Sequence, residues 1–150
     1  WMIATFKGRW KWIGMLATLL AAVQIFYNLP ENPNGLVADA SAEQWSLTIE
    51  SDLQAQNQAY LINFTAAWCI TCQTNEKTAL ARDKVKEYIK EQNITYIKAD
   101  WTNRNEEIAV GLAKYERTGI PLYIFWKPGM TESKILPAVL TEDLLIKSMQ

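Results

Sequence analysis

Few residues in this chain could do chemistry. Cys69 and Cys72 are the only cysteines among 150 residues, and there is no histidine. They lie in the run INFTAAWCITCQTNE, residues 62–76, with Ile70 and Thr71 between them. A Cys-x-x-Cys pair directly after a buried strand and at the start of a helix has a specific physical use. The helix amino terminus carries about half a positive charge, which stabilises a thiolate and lowers the first cysteine's pKa below its free value of about 8.5. Cys69 is therefore the expected nucleophile. Cys72, one turn inward and less exposed, attacks the mixed disulfide that Cys69 forms, and the pair cycles between dithiol and disulfide.

Other uses of the pair fit less well. A structural zinc site normally takes four cysteine or histidine ligands, and this chain offers two cysteines. Haem attachment needs histidine directly after the second cysteine, where Gln73 stands, and is excluded. A structural disulfide around two residues removes little unfolded-state entropy, so stability is a weak motive for this spacing. From the residues alone, a non-catalytic binding module with a static disulfide, or with a weak site for a soft metal such as Cu(I), stays open.

The elements that must position the pair follow from periodicity. Residues 60–66, YLINFTA, are β-rich and nearly all apolar, as a central strand covered on both faces should be. A helix should start at or just before Cys69 and run to about Leu80. Residues 82–93 add a second helical piece with Val85, Tyr88 and Ile89 on one face. Upstream, residues 45–58 read as a short strand or turn leading into a helix. Residues 94–101, ITYIKADW, form the next strand. Asn103 followed by Glu106 fits a capping box for a helix carrying Ile108, Leu112 and Tyr115. Residues 120–126, IPLYIFW, are a strand that begins with a proline, followed by a turn over 127–130 and a short strand, SKIL. Thr141 caps a final helix with Glu142 and Asp143 in its first turn. The order β-α-β-α-β-β-α predicts an α/β domain with a mixed sheet flanked by helices.

Hydrophobic residues make up 49% of the chain, enough for one domain with a core and one appendage. The net charge of −1 argues against a nucleic-acid partner, which needs a dense basic patch. Lys7, Arg9 and Lys11 are the only charged residues before Glu31, so the remainder is mildly acidic. Residues 12–30, WIGMLATLLAAVQIFYNLP, carry no charge and approach the roughly 20 apolar residues that cross a bilayer. They read as a transmembrane helix within residues 1–30. Trp10, Trp12, Phe26 and Tyr27 suit the two interfaces, and the basic flank predicts a cytoplasmic amino-terminal end. A cleaved secretory signal is the competing reading, since a basic start, an apolar core and ADA at 38–40 are all present. Both deliver the rest to the same oxidising side. Residues 31–42 read as a linker and residues 43–150 as the folded domain. Because Trp1 is no initiator, the chain is expected to be the tail of a longer protein.

FTAAWCITC followed by GIPLYIFW resembles the thioredoxin superfamily. In particular it resembles the carboxy-terminal thioredoxin-like domain of DsbD-type thiol:disulfide interchange proteins and their copper-tolerance relatives of the ScsB kind, over about residues 43–150. The resemblance implies a thioredoxin-like fold and makes Pro121 a cis proline facing the active site. A cis bond there would turn the Ile120 backbone outward beside Cys69, where an extended substrate segment can pair with it. Trp68, Ile70, Thr71 and Ile120 then form the substrate-binding rim. In thioredoxins the residue six before the first cysteine is usually an aspartate that moves the proton of the buried cysteine, whereas here it is Asn63. An amide cannot act as a base. Glu76, four residues after Cys72, is the candidate replacement, because the DsbD-like domains resemble it in carrying an acid there. Its competing reading is an ordinary solvated glutamate, since no cation four residues away answers it. Lys98 could add charge from the neighbouring strand, although a strand-edge lysine is commonly solvated.

Ile70 and Thr71 replace the Gly-Pro usual in thioredoxins and add no positive charge, which favours a reductant or relay over an oxidase. The resulting expectation is a thiol-disulfide oxidoreductase of the protein-disulfide reductase type, with no cofactor beyond the Cys69–Cys72 disulfide. The resemblance implies a bacterial inner-membrane protein with this domain in the periplasm. Its donor would be a membrane-embedded thiol pair, as in a CcdA- or DsbD-like membrane domain, and its substrates extracytoplasmic disulfide-bearing proteins. An independent anchored thioredoxin-like reductant serving cytochrome c maturation is the nearer rival.

Overall fold

The computed structural model describes residues 43–150. The spanning helix expected over residues 12–30 and the linker expected over 31–42 lie outside the described residues. Among the described residues no helix is long and apolar enough to cross a membrane.

The chain runs through β1 (Glu43–Gln44), α1 (Ile49–Ala55), β2 (Tyr60–Thr65), α2 (Ile70–Asn75), a π turn (Glu76–Leu80), α3 (Asp83–Glu91), β3 (Thr95–Asp100), α4 (Glu106–Lys114), β4 (Leu122–Trp126), β5 (Lys134–Ile135) and α5 (Glu142–Met149). The five strands form one sheet in the order β1-β3-β2-β4-β5. β3 runs parallel to β1 and β2, while β4 runs antiparallel to β2 and to β5. The expected mixed sheet is therefore present, with a two-residue strand at each edge. Strands this short offer a foreign chain little to pair with.

Every residue of β2 is buried, which is why its sequence lacks the alternation of a half-exposed strand. Tyr60, Ile62 and Phe64 point to one face, where they pack with Ile49, Leu53, Ile108 and Leu112 of α1 and α4. Leu61 points to the other, packing with Ala79, Leu80, Val85, Leu145 and Met149 below the π turn, α3 and α5. Gly111 of α4 is fixed by the first core: a Cβ there would stand 2.5 Å from the Trp45 ring.

Two local expectations are corrected. The cap of α4 is Asn105 and not Asn103: its side chain accepts from the Ile108 N–H at 3.1 Å, and Glu106 is already helical. The capping-box spacing was satisfied two residues too early because Asn103 and Asn105 both flank the helix start. The helix after the cysteines is also not a uniform α-helix. Its second half widens into a π turn, in which the Ala81 N–H bonds to the Glu76 carbonyl five residues back, at 2.7 Å. Thr141 caps α5 as expected, accepting from Leu144 N at 3.3 Å.

Candidate active site

The two sulfurs sit where the buried strand β2 hands over to α2. Cys69 is the N-cap of that helix, and its sulfur accepts the Cys72 N–H at 3.2 Å. A first-turn helix N–H, which has no partner within the helix, thus points at the Cys69 sulfur, the arrangement that favours negative charge on it. Cys69 and Cys72 are joined by a disulfide. Cys69 is 7% exposed and Cys72 only 1%, so an incoming group meets Cys69 first.

The residues expected at the rim fall around this pair. The Ile120–Pro121 bond is cis, and Ile120 packs against Ala66, Cys69 and Cys72. Trp68 and Ile70 are exposed large apolar groups, Ile70 at 80%, and Thr71 between them and Cys72 is exposed. A Cβ on Gly119, just before the cis bond, would meet nothing within 4 Å, so no close approach requires a glycine there.

Trp68 is held rather than free. Its indole N–H donates to the Thr102 carbonyl at 3.1 Å, and the adjacent Ala67 N–H donates to the Thr102 hydroxyl oxygen at 2.9 Å. Thr102 is itself fixed to Asp100, whose carboxylate accepts its N–H at 2.9 Å and its hydroxyl. Trp101 lies 6.1 Å from Trp68 between ring centroids. The loop after β3 thereby forms a shelf for the residue preceding the nucleophile.

Beneath the cysteine helix, on the sheet face away from α1 and α4, lies a polar row. Asn63 of β2 is in register with Lys98 of β3 on one side and Tyr123 of β4 on the other. Asn63 is 1% exposed and donates to the Tyr96 hydroxyl at 2.8 Å. Glu76 projects toward this row and pairs with Lys98 at 3.7 Å, their side chains 14% and 17% exposed. The solvated readings of both residues are thus overturned: the cation that answers Glu76 comes from β3 and not from its own helix. Asn63 Oδ1, Thr65 Oγ1 and Glu76 Oε2 are buried without a hydrogen-bond partner among the described residues. Burial pushes the Tyr123 phenol up to about 12; its bond from Asn75 opposes the rise and the Glu76 carboxylate adds to it.

Asn75 is the residue that sequence reasoning missed. It is 1% exposed, one turn past Cys72, and its amide nitrogen donates to the Tyr123 hydroxyl at 3.0 Å and the Ala138 carbonyl at 2.7 Å. Its amide oxygen accepts the Leu140 N–H at 3.1 Å. One side chain therefore ties the cysteine helix to β4 and to the loop that carries exposed Val139. The available signal was an asparagine inside a helical stretch, a residue type that favours caps and turns unless its side chain finds partners.

Residues 46–128 match the family described as thioredoxin-like. The thiol:disulfide interchange protein DsbD of Campylobacter jejuni is 26% identical over 99 residues, covering 66% of this chain and 17% of that protein. DsbD of Yersinia pestis is 33% identical over 73 residues, covering 49% of this chain and 12% of that protein. The chain thus spans less than a fifth of the curated relatives it matches. Among solved structures, the reduced DsbD carboxy-terminal domain of Neisseria meningitidis is similar with a TM-score of 0.55 at 20% identity, covering 67% of this chain and 86% of that one. A thioredoxin from Thermus thermophilus is similar with a TM-score of 0.55 at 17% identity, covering 73% and 85%. These likenesses establish the fold. With the match over residues 46–128 and a Cys-x-x-Cys disulfide at the head of α2, the chain belongs to the thioredoxin-like family and carries the redox pair of a thiol-disulfide oxidoreductase.

Proposed function

We propose that residues 43–150 are a protein-disulfide reductase module. On this reading residues 12–30 tether it to a bacterial inner membrane and it works in the periplasm. The observation that carries the reading is the Cys69 sulfur: it caps the cysteine helix, receives the Cys72 N–H, and shields a more deeply buried partner sulfur. The similarity to DsbD supports the same reading.

In the reaction, the Cys69 thiolate attacks one sulfur of a substrate disulfide. A Cys69–substrate disulfide forms, and the departing substrate sulfur leaves as a thiolate that takes up a proton. Cys72 then gives up its proton, with the Glu76 carboxylate as acceptor, and attacks the Cys69 sulfur. The mixed disulfide breaks, the Cys69–Cys72 disulfide forms, and the substrate leaves with both sulfurs reduced. Two electrons have moved from this pair to the substrate. A membrane-embedded dithiol, of the kind a DsbD- or CcdA-like membrane domain would supply, reduces the pair again by the same exchange in reverse. Trp68, Ile70 and Thr71 form the docking rim, Ile120 and Pro121 present backbone to the incoming segment, and no cofactor is needed beyond the disulfide itself.

A Cys72→Ser variant tests this. It keeps the nucleophile and removes the sulfur that resolves the intermediate, so a mixed disulfide through Cys69 should accumulate and be released by dithiothreitol. No trapped species, together with thiols inert to alkylation near neutral pH, would refute the reading and leave a static disulfide.

A further inference from the structure

Four residues other than glycine have positive φ among the described residues: Asn57, Asn93, Arg104 and Glu116. Three of them end helices. After α1, α3 and α4, the residues following Asn57, Asn93 and Glu116 bond back to Leu53, Ile89 and Leu112, the paired bonds of a left-handed helix stop. Arg104 has no such reason. Its φ is 52° in the loop between β3 and α4, where its N–H closes a turn onto the Trp101 carbonyl at 3.0 Å. That conformation is uncommon for a residue with a side chain and persists where the surroundings demand it.

What the conformation achieves is the placement of a charge. The Arg104 guanidinium lies 5.0 Å from the Trp68 ring centroid and 6.0 Å from that of Trp101. Arg104 is exposed and pairs with no carboxylate among the described residues. The nearby acids are otherwise placed: Asp100 holds Thr102, and Glu107 accepts the Leu47 N–H at 3.3 Å. Glu106, two residues on, opens α4 at its positive end. The other residues expected at the rim, Trp68, Ile70, Thr71 and Ile120, carry no charge. A guanidinium held over an aromatic face keeps N–H donors free for a carboxylate.

We propose that Arg104 is a specificity-determining residue: it binds a carboxylate on the substrate segment next to the cysteine under attack, so the module prefers disulfides flanked by aspartate or glutamate. This deepens the reductase reading and rests on it.

The experiment uses the full 150-residue chain in its reduced form and two cyclic disulfide peptides. They are identical except for the residue preceding the first cysteine, glutamate in one and lysine in the other. An exposed ion pair is worth up to a factor of about five, so the glutamate peptide should be reduced about fivefold faster at low salt. The preference should shrink toward unity in about 0.5 M salt, where the screening length is a few ångströms. R104A should bring the ratio to about one, R104E should invert it, and R104K, which keeps the charge without the planar, forked donor set, should retain a smaller preference. Equal rates for both peptides with wild-type protein, or a preference that survives R104A or salt, would overturn the role of Arg104 and leave the reductase reading standing. Failure to reduce either peptide and bis(2-hydroxyethyl) disulfide as well would overturn the reductase reading together with it.

Discussion

Replacing Lys98 by methionine removes one end of the ion pair beneath the cysteine helix. Two unit charges 3.7 Å apart attract by about 4.5 kcal/mol at an effective dielectric constant of ~20. Taking the side chains largely out of water offsets part of that gain. Both keep some solvent contact, at 17% and 14% exposure, so the lower end of the range for breaking a buried pair applies, about 3 kcal/mol for K98M. The cost arises because Glu76 then holds a charge among buried groups, with its Oε2 already unpartnered. E76Q should cost less, about 1 kcal/mol, because the long lysine stem can carry its charge toward solvent. The double variant has no stranded charge and should lose about 2 kcal/mol rather than the sum of the single losses. Urea unfolding of the four oxidised proteins at pH 7 measures this cycle directly. A coupling of about 2 kcal/mol is expected. If the two substitutions add to within about 0.5 kcal/mol, Glu76 and Lys98 do not act as a pair, and the account of the polar row is wrong.

Asn75→Ala removes three hydrogen bonds and leaves the buried Leu140 N–H and Tyr123 hydroxyl without that partner, so a loss of about 2–4 kcal/mol is expected, read from the urea midpoint. A loss below about 0.5 kcal/mol would mean that the loop over residues 137–140 is held by something else. Tyr123 gives a pH signature. Its folded pKa of about 12 exceeds the ordinary value near 10, so its contribution is complete below pH ~10 and is lost as pH rises toward ~12, by a few kcal/mol at most. Tyr123→Phe should flatten that alkaline decline. Equal slopes for the two proteins between those limits would refute the assignment.

The sequence carried the cysteine site well because its signals are local. A buried strand, two cysteines two residues apart and a helix start are contiguous, so hydrophobic period and the dipole argument sufficed to place Cys69 outermost and Cys72 within. The strands came through within a residue or two for the same reason. What could not be read was any contact across the sheet. Lys98 sits 22 residues from Glu76 in the chain and meets it only because β3 lies beside β2 with Asn63 opposite Lys98. A search for i, i+4 partners could not find it. Asn75 and Tyr123 were illegible in the same way, since their hydrogen bonds join α2, β4 and the loop before α5. Arg104 looked like any loop arginine because its placement depends on a backbone angle and on two rings brought together by the turn.

The π turn over Glu76–Leu80 bears on how this chain is compared with its relatives. A ring closed five residues back uses one residue more than the regular helix does, and shifts everything after it by about 100°. A homologue that stays α-helical here would reach the seat of Leu80 one position sooner. A single gap opened between Asn75 and Ala81 in an alignment would then be a matter of helical winding, and reading Glu76 across that gap without allowing for it would match the carboxylate with the wrong neighbour.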